Sequence, residues 1–425
     1  MIITKPKQLH GTITVPGDKS ISHRSIMLGS ISEGDTEVHG FLNGDDCNST
    51  ISCFQNLGIE IEKKNTSITI HGKGLRGLSA PKDILDVGNS GTTTRLMSGI
   101  LAGNNFLSAI TGDASIQSRP MKRIITPLTL MGAKITSTRN NDCCPLLING
   151  GNLQGINYLS PVASAQIKSC ILFAGLYANK TTTVTEPAIS RNHSEIMLQA
   201  FGASISTNNT SVSIEPNPQL IGQNITIPGD ISSAAYFIAA GILHEKGDLY
   251  IRNVNINPTR DGILTVARNM GAKISLENLH TVSGEKSADL HVCSSSLCGT
   301  TISGAMIPTL IDEIPMIAVM AAFAKGTTKI CDIAELKVKE SDRIQSICKN
   351  LKNMGADVSY TNDSITIHGS NTLHGTYIHT YHDHRIAMAF AIAGLLVEGE
   401  TTFDDEECVS ISYPTFFHEI KKLTS

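Results

Sequence analysis

LGIEI (57–61) returns as MGAKI (131–135), FGASI (201–205), MGAKI (270–274) and MGADV (354–358). Each copy reads as an apolar residue closing a helix, a glycine, a small or apolar residue, any residue, and a β-branched residue. Glycine after a helical run supplies the left-handed turn that ends the helix, and the β-branched residue then opens a strand. The glycines fall at 58, 132, 202, 271 and 355, separated by 74, 70, 69 and 84 residues. A recurrence of this kind signals a repeated supersecondary unit.

A second phrase interleaves with the first. Apolar helices run into a polar or glycine turn and then a threonine-rich or β-branched strand: SEGDTEVHG, AGNNFLSAITG, ANKTTTVTE, EKGDLYIRN, AKGTTKICD and VEGETTFDD. Six copies in 425 residues make about one per 71. Each unit is predicted to be strand, helix, strand, helix and then one or two strands. A coarser repeat sits above these: ITVPGD (13–18) returns as ITIPGD (225–230), 212 residues later. Pro-Gly continues neither strand nor helix, so both places read as crossovers between domains. The expected organisation is α/β, with one domain at 17–227 and a discontinuous second one made of 1–16 and 228–425, three units in each. The length agrees, since 425 residues exceed one ordinary core and suit two of about 200.

With 40% hydrophobic and 17% charged residues, the chain reads as a soluble globular protein. The net charge of −4 gives no whole-surface reason to bind nucleic acid or acidic membranes. No secretion signal is read at the N-terminus, and the longest uncharged apolar runs, such as IPMIAVMAAFA (314–324), are short for a membrane span. Ten cysteines without such a signal suggest free thiols in the cytoplasm. Cys143 and Cys144 are adjacent, Cys293 and Cys298 lie five apart, and no CxxC occurs, so no structural zinc is expected.

The first helix of each unit begins with DKSISHR, GNSGTTTR, SAQIKS, GDISS, IDEIP or YHDHR. Ser, Asn and Asp there are ordinary N-caps, worth about 1 kcal/mol each. Capping does not account for Lys19, His23, Arg24, Arg95, Lys168, His384 and Arg385, all in first turns, where the helix dipole already disfavours cations. A solvated charge explains any one of them, but a set of seven points to an anion that completes the site. SRPMKR (118–123), SRNHSE (190–195) and KVKESDR (337–343) add further charge. Such forks suit a ligand bearing phosphate and carboxylate groups. GKGLRG (72–77) matches a dinucleotide fingerprint but is followed by LSAPKD and no apolar helix, and GDKS lacks the spacing of a P-loop. HDH (382–384) offers two histidines without a further ligand set.

PGDKSISHR, GNSGTTTR, SRPM, IDEIP, KESDR and DHRIAMA together resemble the signature stretches of the 5-enolpyruvylshikimate-3-phosphate synthase family, in order and nearly end to end. The resemblance implies two similar domains, each of three βαβαββ units around buried helices (the enolpyruvyl transferase inside-out α/β barrel), with helix N-termini converging on a cleft. It implies transfer of enolpyruvyl from phosphoenolpyruvate to the 5-hydroxyl of shikimate 3-phosphate by a monomer, with no metal or organic cofactor. By matching motif, Lys19, Arg119, Gln166, Arg343 and Arg385 would hold phosphoenolpyruvate, and Asn89, Gly91 and His384 would line its pocket. Lys19, Ser20, Arg24, Ser164, Gln166, Ser190, Asp312 and Lys339 would hold shikimate 3-phosphate. Asp312 and Glu340 would be the acid/base pair, and Lys19 would assist the departing phosphate. A competing reading makes Asp312 the N-cap ahead of Pro315.

This chain departs from the family pattern in places. Ile411 stands where many members carry a lysine, leaving Lys73, Lys122 or Arg123 as substitutes, and Ala165 replaces a serine. Gly91 is retained where alanine would crowd glyphosate, and Leu96 replaces a common proline, so partial glyphosate sensitivity is expected. The related transferase that acts on UDP-N-acetylglucosamine usually has a reactive loop cysteine, and TGDASIQSRPMKR (111–123) has none. A non-catalytic scaffold should have lost some of Lys19, Asp312, Glu340 and Arg385, and all four are present.

Overall fold

The computed structural model describes residues 1–370 and 372–424. The five glycines of the opening phrase all have positive φ, from +89° to +103°. Each closes its helix with the same pair of bonds. The glycine N–H reaches the carbonyl three residues back, as Gly132 to Thr129 at 2.9 Å, and the next N–H reaches five back, as Ala133 to Leu128 at 2.9 Å. That double bond satisfies carbonyls that the helix end would otherwise leave unpaired. The residue before each glycine (Leu57, Met131, Phe201, Met270, Met354) is buried, which pins the turn to the core.

The chain forms two compact units: Gly17–Ile227 with Val282–Gly284, and Met1–Pro16 with Pro228–Thr281 and Glu285–Ser425. The first holds three four-stranded sheets of one design. In the sheet of Leu85–Asp86, Leu107–Thr111, Lys134–Ser137 and Leu146–Asn149, the first strand runs parallel to the second. The second pairs antiparallel with the fourth, and the fourth antiparallel with the third. Asn157–Leu159 and the strands after it repeat this order. The remaining sheet takes its first strand, Asn224–Thr226, from just before the second Pro-Gly-Asp and lays it parallel on Glu33–His39. Correspondingly, Leu9–Thr14 precedes the first Pro-Gly-Asp and lies parallel on Gly247–Asn255 in the other unit.

The sixth repeat departs from the βαβαββ expectation. Its sheet has three strands, Tyr377–Ile378, Thr401–Phe403 and Ile2–Ile3. Among the described residues, Thr401–Phe403 is followed by a short 3-10 turn, Glu407–Ile411, and the helix Phe416–Thr424 rather than by a hairpin. The N-terminal strand Ile2–Ile3 pairs antiparallel with the second strand, in the place that the fourth strand holds elsewhere.

The first helix of each repeat is buried on nearly all sides: Lys19–Ile31, Gly91–Ala102 and Ala165–Gly175 in one unit, and Ile231–Leu243, Ile314–Phe323 and His384–Gly394 in the other. Such all-round burial, polar residues such as Ser22, His23 and Arg24 included, marks core helices rather than amphipathic surface ones. Gly99 shows how closely two of them approach, because a Cβ there would lie 2.1 Å from the Cys170 carbonyl oxygen. Among the described residues no single helix is long and apolar enough to cross a membrane. Gly304–Leu310 and Ile314–Phe323 pass that test only as a pair bent by 109°. All ten cysteines are free.

Candidate functional site

Two clusters hold the predicted residues, one in each unit. In the first unit, Asp18 caps Lys19–Ile31 by accepting the Ile21 N–H at 3.0 Å. Lys19 pairs with Asp46. Arg24 is buried, and its bonds run to Ser194 Oγ (2.7 Å), the Ser20 carbonyl (2.9 Å) and Ser169 Oγ (2.8 Å). His23, fully buried beside them, has its pKa driven well below the usual histidine value by burial and then by Lys19 and Arg24.

Ser90 caps Gly91–Ala102 through the Thr93 N–H at 3.1 Å. Arg119 enters this helix start from the turn Ile116–Ser118. Its Nη2 donates to Asn89 Oδ1 and Ser115 Oγ, both at 2.7 Å, and its Nη1 to the Asn89 carbonyl at 3.3 Å. Arg95 Nη1 donates to Gln166 Oε1 at 2.9 Å. A Cβ on residue 91 would lie 2.7 Å from Arg95 Nη1 and 3.3 Å from Arg119 Nη1. Glycine at that position therefore lets two guanidinium groups close over the backbone. Each of these bonds fixes a cation through a neutral oxygen, which orients the fork without cancelling its charge.

Ser164 and Ser190 are linked through the buried Glu186. One carboxylate oxygen accepts the Ser164 N–H and the other the Ser190 hydroxyl, each at 2.8 Å. Lys168 lies 3.0 Å from Glu186 and 2.7 Å from Glu195. Sequence alone places Lys168 with the anion-binding set, whereas here it balances two buried glutamates.

In the second unit, three cations surround one carboxylate. Asp312 lies 3.7 Å from Lys339 Nζ, 3.6 Å from Arg343 Nη1 and 3.9 Å from Arg385 Nη2. Arg343 is fully buried; it also bonds Glu340, and it grips Asp383 with Nε at 2.8 Å and Nη2 at 3.1 Å. Burial works against the Arg343 and Arg385 charges, but Asp383 and Glu340 around the first, and Asp312 around the second, outweigh it and raise both pKa values. Lys339 is shifted the other way: burial lowers its pKa, and the attraction of Asp312 does not recover the loss. Asp383 is the N-cap of His384–Gly394 and accepts the Arg385 N–H at 3.0 Å, which sets the buried His384 in the first turn.

Several expectations are corrected. Asp312 is not the N-cap of the next helix, because Ile314–Phe323 takes Glu313 as its cap residue, and Asp312 instead faces Lys339. Lys73 donates to the Gly58 carbonyl at 2.7 Å, and Lys122 is exposed, 3.8 Å from Asp142. Ile411 is half-buried against the core of its own unit. His382 is exposed and bonded to Asp405 at 2.7 Å, and His384 is buried. Sequence reasoning missed Asp46, Glu186, Glu195, Asp383 and the Glu313–Arg260 pair, whose closest N–O approach is 3.4 Å. Acidic residues inside GDD, ANKTTTVTE, SRNHSE, YHDHR and IDEIP were the available signal.

The pattern of the family described as EPSP synthase (3-phosphoshikimate 1-carboxyvinyltransferase) matches residues 3–420. A 3-phosphoshikimate 1-carboxyvinyltransferase of Thermoanaerobacter sp. (strain X514) is 53% identical over 415 residues, covering 98% of each chain. One from Bacillus cereus (strain 03BB102) is 50% identical, covering 98% of this chain and 97% of its own. The solved structure of EPSP synthase from Acinetobacter baumannii superposes with a TM-score of 0.88 at 46% identity, covering 99% of this chain and 97% of its own. With a match over nearly its whole length and relatives at about half identity, the chain belongs to the EPSP synthase (3-phosphoshikimate 1-carboxyvinyltransferase) family.

Proposed function

We propose a division of labour among these residues for the reaction of the family: the enolpyruvyl group of phosphoenolpyruvate passes to the 5-hydroxyl of shikimate 3-phosphate, and phosphate leaves. The chain is an enzyme of this transfer, a step of the shikimate pathway toward chorismate and the aromatic amino acids. The observation that carries the assignment is the Asp312 carboxylate within 4 Å of Lys339, Arg343 and Arg385, with Glu340 bonded to the same Arg343. A proton acceptor and a proton donor are thus tied to one rigid guanidinium. Asp312 takes the proton of the 5-hydroxyl as its oxygen attacks C2 of the enol. Glu340 gives a proton to C3, which makes a tetrahedral intermediate; C3 then returns it as the C2–O bond to phosphate breaks.

Lys19, Arg119, Gln166, Arg343 and Arg385 hold phosphoenolpyruvate, with Asn89, Gly91 and His384 around it. Ser20, Arg24, Ser164, Ser190, Asp312 and Lys339 hold shikimate 3-phosphate, with Lys19 and Gln166 shared, and Lys19 steadies the leaving phosphate. In this reading 17–227 and the remainder are the enzyme's two domains. It works as a monomer in the cytoplasm without nucleic acid or membrane.

The test is phosphate release from phosphoenolpyruvate, with shikimate 3-phosphate or UDP-N-acetylglucosamine as acceptor. Release is expected with the first acceptor alone. Glu340→Gln should lower kcat by a factor of roughly 10² to 10⁴ with little change in KM, as loss of a general acid does. Glu340→Gln at full rate would remove Glu340 from the mechanism, and release with the nucleotide sugar alone would reassign the acceptor.

A further inference from the structure

Outside the two clusters, the outward face of one sheet gathers three ligand types of a kind that transition metals favour. Asp248 on Gly247–Asn255 stands directly opposite Cys293 on the antiparallel strand Glu285–Cys293, and His291 is two residues earlier on that strand. His291 Nε2 lies 2.6 Å from Asp248 Oδ1 and 3.4 Å from Cys293 Sγ, and the three donor atoms are all within 4.8 Å of one another. A neutral ring nitrogen carries at most one proton, yet this one meets both a carboxylate and a thiol. We propose that Asp248, His291 and Cys293 form a binding site for a divalent transition metal of the zinc type.

The geometry is close to what tetrahedral Zn²⁺ requires. Bond lengths of about 2.3 Å to sulfur and about 2.0 Å to nitrogen or oxygen place neighbouring ligand atoms roughly 3.3 to 3.5 Å apart. The sulfur–nitrogen distance already fits, and the exposed Asp248 needs to retreat by less than about an ångström. The ring is held for the task. It stacks on Tyr250 with centroids 4.1 Å apart and planes 4° from parallel, and its other nitrogen, Nδ1, is 4.0 Å from Glu277. One thiolate and one carboxylate neutralise the cation's charge, and sulfur with imidazole selects zinc-like ions over magnesium or calcium. His10, in register with Asp248 on the parallel neighbour Leu9–Thr14, or a water, is a candidate for the fourth position. The sequence hides the site, because one ligand lies 43 residues from the next and only strand pairing brings them together.

The test uses the full chain, stripped with a chelator and titrated with Co²⁺ as an optical probe, then with Zn²⁺ by calorimetry. A thiolate-to-cobalt charge-transfer band should develop at one equivalent, be displaced by Zn²⁺, and survive in Cys298→Ser, which removes an exposed cysteine elsewhere. Cys293→Ser should abolish the band. Asp248→Asn should keep the fold, shown by an unchanged unfolding transition without metal, and bind Zn²⁺ at least about tenfold more weakly. Phosphate release should be the same in Cys293→Ser as in the parent. No band, or a band that persists in Cys293→Ser, would overturn the proposal.

Discussion

His23 should make the fold sensitive to mild acid. The ring is fully buried, its Nδ1 is 2.7 Å from the Thr50 hydroxyl, and that oxygen is 2.7 Å from Thr93 Oγ1, so one side of the imidazole is committed to a buried hydroxyl chain. In the unfolded chain it takes up a proton near pH 6.5. In the fold, burial and then Lys19 and Arg24 push its pKa well below that. Between the two values the unfolded state binds a proton that the folded state refuses. Stability is therefore whole above about pH 6.5 and declines as pH falls toward the folded value, by about 1.4 kcal/mol per pH unit. From pH 7.5 to pH 5 the loss reaches about 2 kcal/mol, or about thirtyfold in the folding constant. Urea unfolding of the parent and His23→Asn across this range isolates the effect, because other titrating groups and the fixed cost of the substitution cancel in the difference. The gap between the two proteins should move by about 2 kcal/mol in favour of the variant as pH falls. A gap constant to within about 0.5 kcal/mol, or an NMR signal showing the His23 ring charged at pH 5 in the folded protein, would refute the reasoning.

Three further outcomes are expected. Gly91→Ala places a methyl 2.7 Å from Arg95 Nη1 and disturbs its bond to Gln166, so the KM for phosphoenolpyruvate should rise by roughly tenfold or more while that for shikimate 3-phosphate holds. The glyphosate inhibition constant should rise with it, and an unchanged constant counts against Gly91 lining that pocket. Lys168→Met leaves Glu186 and Glu195 buried without their cation and should cost about 3 to 5 kcal/mol in thermal unfolding, part of which Glu195→Gln in the same chain restores. Gly132→Ala meets only the Asn152 carbonyl at an ordinary 3.6 Å but must hold φ near +98°, so calorimetry should show a loss of about 1 to 2 kcal/mol from backbone strain alone.

The helix ends were legible because their causes are local. A glycine, the buried residue before it and the strand residue after it lie within a single turn, and five copies fold alike. The starts were legible for the same reason at Asp18, Ser90, Asp230 and Asp383, each of which caps with its own side chain. What failed depended on pairing at a distance. The sixth repeat looked complete in its second phrase, VEGETTFDD, but its sheet borrows Ile2–Ile3 from the other end of the chain. Nothing within that repeat announces the loan.

Lys168 and Arg24 show the same limit at the site. Both are cations in the first turns of buried helices, and composition gives no ground for separating them. The structure does so by what stands opposite. Arg24 meets the hydroxyls of Ser169 and Ser194, which orient a guanidinium through neutral oxygens. Lys168 meets two glutamates that together outweigh it. Those glutamates lie 18 and 27 residues downstream, one just past the strand Thr182–Thr185 and the other in the helix His193–Ala200, so the role of Lys168 is fixed by two elements it does not belong to. A cation at a helix start is thus evidence for an anion, but whether that anion is a substrate or a neighbour is decided by the tertiary fold.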